Sequence, residues 1–247
     1  MTKDIFSKLF RWQPSWSTLI AATTGVIVIA LSAAMIPAKD IPWLSIFLRD
    51  IAMVILAGIL FPLMYIFRTE NDFTDFGLSF KKWYIYLPIN LVLGTLLFFM
   101  FLSENPLPTD FRLSAPVFWR AVYIMLTGVF EVVFFYSFQR TLFERAFGIV
   151  PAIVLTAIFY AFHHVGFQPE FGKLIFVGLM YATIFRLGNS ALLIYPFFWG
   201  VGACYDVLVQ SQVVSEIAYP EVRALLLVTL IPVAVIAART ITSHKAI

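Results

Sequence analysis

Charge is scarce in this chain. Only 13% of its 247 residues are Asp, Glu, Lys or Arg, about half the share a soluble domain carries. With 61% hydrophobic residues and a mean hydropathy of +0.91, too few polar side chains remain to coat a water-soluble core. Cysteine is nearly absent as well. Cys204 stands alone, which excludes an internal disulfide and any zinc site built on a cysteine pair. Histidine occurs three times, twice as the neighbours His163 and His164, so the HExxH spacing that sets two imidazoles on one helical face is missing. The net charge of +3 is spread along the chain and offers no nucleic-acid surface. No internal repeat or low-complexity tract is visible.

What the chain does have is a succession of apolar runs at 17–37, 47–67, 84–103, 116–138, 149–165, 172–186, 190–210 and 222–239. Each is judged against the roughly 20 residues that a spanning helix needs. The expected fold is all-α, a polytopic transmembrane bundle of about eight spanning helices forming one integral-membrane domain over 1–247. The fifth and sixth runs are short enough to be tilted or partly re-entrant. Residues 1–16 read as a retained interfacial lead-in, with Phe6, Leu9, Phe10 and Trp12 on the bilayer surface and Lys3, Lys8 and Arg11 reaching the headgroups. With the N-terminus inside, eleven of the seventeen Lys and Arg residues, Lys245 among them, fall in inner segments, and Lys39 is among the outer six. That bias predicts a multi-pass protein of the cell membrane with both termini cytoplasmic. The polar stretch 68–82 reads as a solvated connector, and FERAFG after the fourth run as a short polar turn.

Chemistry concentrates within 128–164, inside a core site region at 116–210. Glu131 lies between Arg120 and Arg140, near mid-membrane, where an ionisable side chain costs about 2.5 kcal/mol or more and defaults to a functional reading. A carboxylate on one membrane helix with an imidazole on the next suits a general base that activates water. The bland alternative is a protonated glutamate bonding a neighbouring helix. His163 and His164 are adjacent, so on a regular helix they point about 100° apart and only one faces a given partner. A zinc site on Glu131, His163 and His164 ranks behind the metal-free reading for that reason, and no cofactor is expected. Ser137 and Cys204 lack a base in reach and read as packing residues. In the seventh run, Trp199, Tyr205 and Asp206 are candidates to line the site, and Gly200 and Gly202 would let another helix approach closely.

At these residues the chain resembles the CAAX prenyl endopeptidase and bacteriocin-processing (CPBP, or Abi) family of polytopic membrane proteins, many of them intramembrane proteases. Glu131 matches the first Glu of the family's EExxxR motif, and Phe159 to His163 match its FxxxH motif. Val132 stands where the second Glu would be and Tyr136 where the Arg would be, with Arg140 about one turn beyond. For the third motif, HxxxN, Trp199 and Ala203 stand at the His and Asn positions. The resemblance implies a divergent endopeptidase that hydrolyses a peptide bond near or within the membrane. Glu131 and His163 would activate water, and the oxyanion-holding half would be missing. His164, Tyr136, Arg140, Trp199, Tyr205 and Asp206 would line the site. The implied partners are membrane lipids and a membrane-associated peptide or protein substrate. The alternative is a catalytically inactive member that binds a membrane protein or lipid as scaffold or regulator.

Overall fold

Helices that are apolar on every side have no water-facing stripe and satisfy their backbone internally, as hydrocarbon demands. A computed structural model of the chain describes residues 2–38, 40–69, 71–104, 106–109, 111–164, 171–210 and 217–243. Lys39 and Lys245, used above for orientation, and residue 165 of the fifth run lie outside them. The described residues are helical, with no strand among them. We number the helices α1 Thr2–Leu9, α2 Trp16–Ala38, α3 Pro42–Arg68, α4 Trp83–Glu104, α5 Ala115–Phe147, α6 Ile149–His163, α7 Phe171–Gly188, α8 Phe197–Val209 and α9 Pro220–Thr242.

Six of these, α2, α3, α4, α5, α7 and α9, are long and apolar enough to cross a membrane. The chain is thus a multi-pass helical membrane bundle, but the expected count of eight spanning helices is not reached. The fifth run stops at His163 after 15 residues. The seventh is broken by a 3₁₀ turn at Ala191–Leu193, so its helix begins only at Phe197 and is shorter than 18 residues.

α5 is the axis of the bundle. In its most apolar window 67% of residues are buried, against 11% for α4, whose Leu91, Val92, Leu96 and Phe99 face outward. α6 folds back along α5 and packs on α7 and α2; α8 lies along α4, and α9 against α3 and α5. Three described stretches, Ile46–Leu60 in α3, Val132–Gln139 in α5 and Asp206–Gln210 at the end of α8, are wound as π-helix, a form that concentrates at functional sites.

The FERAFG stretch is not a turn, because Arg140–Phe147 continues α5 as helix. Its charges find partners outside it, Arg145 with Asp75 at 3.6 Å and Glu144 with two arginines. The buried Arg140 donates to Glu144 Oε2 at 2.5 Å, and Arg186 Nε donates to the same carboxylate at 2.7 Å. The helix stops at Gly148, whose φ of +88° an L side chain rarely adopts. There the lead-in caps it. Backbone N–H groups of Arg11 and Gln13 donate to the carbonyls of Phe147 and Ala146 at 2.9 and 2.8 Å, two of the four a helix C-terminus leaves unsatisfied. A Cβ at Gly148 would lie 2.6 Å from the Leu9 carbonyl oxygen. Gly148→Ala is expected to destabilise the protein by roughly 1–3 kcal/mol, read as a lower unfolding midpoint in detergent. An unchanged midpoint would show that the lead-in is not held there.

The 68–82 connector is docked, not simply solvated. Phe76 is fully buried, its carbonyl accepts from Ser137 Oγ at 2.6 Å, and Asn189 donates to the carbonyls of Thr74 and Asp75 at 2.9 and 3.1 Å.

A second buried cluster joins α3, α5 and α9. Asp50, wholly inside, accepts from Arg223 Nε at 2.7 Å and Nη2 at 3.1 Å. The Tyr123 hydroxyl donates to Asp50 Oδ1 at 2.6 Å, and the Arg223 guanidinium lies 4.8 Å from the Tyr123 ring centroid.

Candidate active site

Glu131 sits at the midpoint of the 33-residue α5. Counting back from Gly148 to Glu131, and forward from Gly148 to His163, covers about 25 Å and 22 Å at the α-helical rise. An antiparallel hairpin therefore brings the two side chains level. His163 Nε2 lies 3.6 Å from Glu131 Oε1, and His164 Nε2 lies 3.8 Å from the same oxygen.

Both imidazoles face the carboxylate, against the expectation that only one could. α6 ends between them. His163 is its last residue, and His164 leaves the helix with φ −86° and ψ +5°, so the 100° step does not apply. The His164 N–H bonds back to the Ala161 carbonyl, which leaves the Tyr160 carbonyl for the side chains. It lies 2.5 Å from His163 Nδ1 and 3.0 Å from His164 Nδ1. A ring nitrogen that close to a carbonyl oxygen must be a donor. In the neutral rings the proton therefore sits on Nδ1, and Nε2 turns a lone pair toward Glu131. Ser32 of α2 donates its hydroxyl to the His163 carbonyl, and Phe135 packs on the His163 ring at 4.7 Å.

The other carboxylate oxygen belongs to Trp199, whose Nε1–H donates to Glu131 Oε2 at 2.9 Å. Nothing in the sequence pairs residues 68 apart. The one available hint is Gly128, a turn before Glu131, where a Cβ would lie 2.2 Å from Trp199 Cζ3. The start of α8 is pinned from three helices. Asn90 Oδ1 accepts from the Phe198 N–H at 2.6 Å, the Tyr181 hydroxyl donates to the Phe198 carbonyl at 3.3 Å, and Tyr195 donates to the Met125 carbonyl at 2.9 Å. Gly128→Ala is expected to cost about 1–3 kcal/mol by overpacking. In a double-mutant cycle with Trp199→Ala most of that cost should vanish; additive effects would refute the contact.

The remaining expected site residues divide. Tyr136 lies one layer away, its ring 5.7 Å from that of Tyr160. Arg140 does not stand in for the family's arginine, since its guanidinium is engaged by Glu144, Thr141 and Asn189. Tyr205 stacks on Phe101 at 4.9 Å and points its hydroxyl to that residue's carbonyl at 3.4 Å. Asp206 pairs with Lys173 at 2.6 Å. Neither has a described contact with Glu131. Ser137 is bonded to Phe76 and Cys204 approaches the Ala121 carbonyl, in line with their reading as packing residues. The carboxylate of Glu131 and the His164 ring keep 11% and 13% exposure. A cavity of about 530 Å³ lies instead at the Phe147 end, lined by Trp12, Phe143, Pro151 and Phe159 among others.

No family model, curated protein or solved structure matches this chain.

Proposed function

We propose that this protein is a divergent intramembrane endopeptidase of the CAAX protease-like (CPBP) type. It would hydrolyse a peptide bond in a membrane-associated peptide or protein with water activated at Glu131 and the imidazoles. The observation that carries this reading is the convergence of Glu131 Oε1 with two bare Nε2 atoms at 3.6 and 3.8 Å, deep in a lipid-facing bundle. Such a group of acceptors orients water and takes its proton. The water oxygen bonds to the scissile carbonyl carbon, its proton passes through the cluster to the departing nitrogen, and the C–N bond breaks, consuming one water per cleavage. In this reading α6 and α8 complete eight membrane helices in the cell membrane, and both termini are cytoplasmic.

A second reading rests on Trp199. At the position of the family's oxyanion histidine its indole N–H is spent on Glu131, and Ala203 offers no side-chain donor. One lost oxyanion donor typically costs about 2.7–4 kcal/mol of barrier, so a non-catalytic scaffold or regulator that binds a membrane protein or lipid is the alternative. Purified protein and a membrane-tethered peptide in ¹⁸O-water decide between them. One ¹⁸O in each new carboxyl terminus, absent with Glu131→Gln, supports hydrolysis here. No cleavage of any tethered peptide in a diverse set leaves the binding role.

A further inference from the structure

We infer that Glu131, His163 and His164 bind a divalent first-row transition ion of the zinc type. This rests on the hydrolytic reading for its use but not for its existence. Each of the three residues offers one ligand atom, and these atoms all lie within 4.8 Å of one another. Two imidazoles and a carboxylate form a donor set of catalytic zinc centres.

The spacing discriminates between occupants. Direct hydrogen bonds would bring nitrogen and oxygen to about 2.7–3.2 Å, and a shared water at tetrahedral angles would hold them about 4.7 Å apart. Ligands of a tetrahedral ion with bonds near 2.1 Å stand about 3.4 Å apart. The observed 3.6 and 3.8 Å are nearest the last. Neutral rings with the proton on Nδ1, beside an ionised Glu131, turn three lone pairs to one centre, an arrangement that a cation relieves.

Every ligand also has the outer support that metal sites use to hold their donors. The Tyr160 carbonyl fixes both imidazoles, and Trp199 Nε1–H fixes the carboxylate through its other oxygen. The ion would act as a Lewis acid on a carbonyl oxygen and lower the pKa of bound water, the part that the missing oxyanion donors leave undone. That gives His164, which the family motifs leave unspecified, and Trp199, which departs from them, a joint role.

The test uses full-length, tag-free protein in detergent, stripped with chelator and titrated with zinc or cobalt(II). One equivalent of zinc per chain, with the intense visible bands of four-coordinate cobalt, is expected. His164→Ala and Glu131→Gln should each reduce bound zinc below about a tenth of an equivalent. Trp199→Phe should weaken binding roughly 10–100-fold and, judged by far-ultraviolet circular dichroism, leave the helices intact. Zinc bound equally by wild type and His164→Ala, or no binding by folded wild type, overturns the proposal. Peptide cleavage that persists in stripped protein without binding overturns the metal and leaves the hydrolase standing. Stoichiometric binding without cleavage supports the metal and removes the hydrolase.

Discussion

Glu131→Gln should lower kcat/KM on a membrane-tethered peptide by about 10²–10⁴-fold while barely moving the unfolding midpoint. The separation follows from the two oxygens having different tasks. Oε2 accepts from Trp199 Nε1 at 2.9 Å, and a glutamine carbonyl can accept that bond equally well, so α5 and α8 stay joined. Oε1 faces the two imidazoles, and there an amide is a poor base and a poor ligand. The measurement is a pair, cleavage rate and thermal midpoint, on the same preparations. A variant within tenfold of wild type would remove Glu131 from the chemistry. One that loses activity only because it unfolds would return the residue to a structural role.

The largest expected effect on stability is at the buried cluster that joins α3, α5 and α9. Asp50→Ala should destabilise the protein by about 3–5 kcal/mol, because it strands the Arg223 guanidinium inside with no counter-charge. Arg223 is nearly buried and Asp50 wholly so. Removing both charges together, as Asp50→Leu with Arg223→Met, should recover most of that loss, since a buried pair replaced by packed apolar residues is often neutral or better. Tyr123→Phe should cost less, about 1.5–3 kcal/mol, the worth of one hydrogen bond to a charged group. Unfolding by denaturant in mixed micelles ranks the three variants against wild type. A double variant as unstable as Asp50→Ala would mean that shape at that junction matters more than charge.

How far the sequence reached depends on the distance over which its signals act. The bundle was legible because hydropathy is a local sum, and the proximity of Glu131 and His163 because both stand at similar distances from Gly148. His164 was read as turned away, since the regular helical step holds only until a helix ends, and the end falls on the residue itself. Trp199 was named as a lining candidate at the third motif's His position, not as a partner of Glu131; its bond to Glu131 joins residues with no shared period. Asp50 was passed over and Arg223 entered only the count of orienting charges, because each lies near a span end where lone charges are common. Their pairing shows only when α3 and α9 are placed side by side. FERAFG looked like a turn because its charges appeared unpaid, and Arg186, the partner on α7, is 42 residues away from Glu144.

The carbonyl of Tyr160 has a consequence for how this protein can be dissected. It orients two imidazoles, yet it belongs to the main chain, and every amino acid at position 160 would supply it. A complete scan of side chains would therefore report Tyr160 for its phenol, which also acts on Glu131, and not for this carbonyl. Replacing the following amide by an ester, through semisynthesis or nonsense suppression with a hydroxy acid at position 161, would weaken that oxygen as an acceptor and leave every side chain but one proton's worth of backbone unchanged. The group that arranges the centre is thus invisible to genetics and open to chemistry.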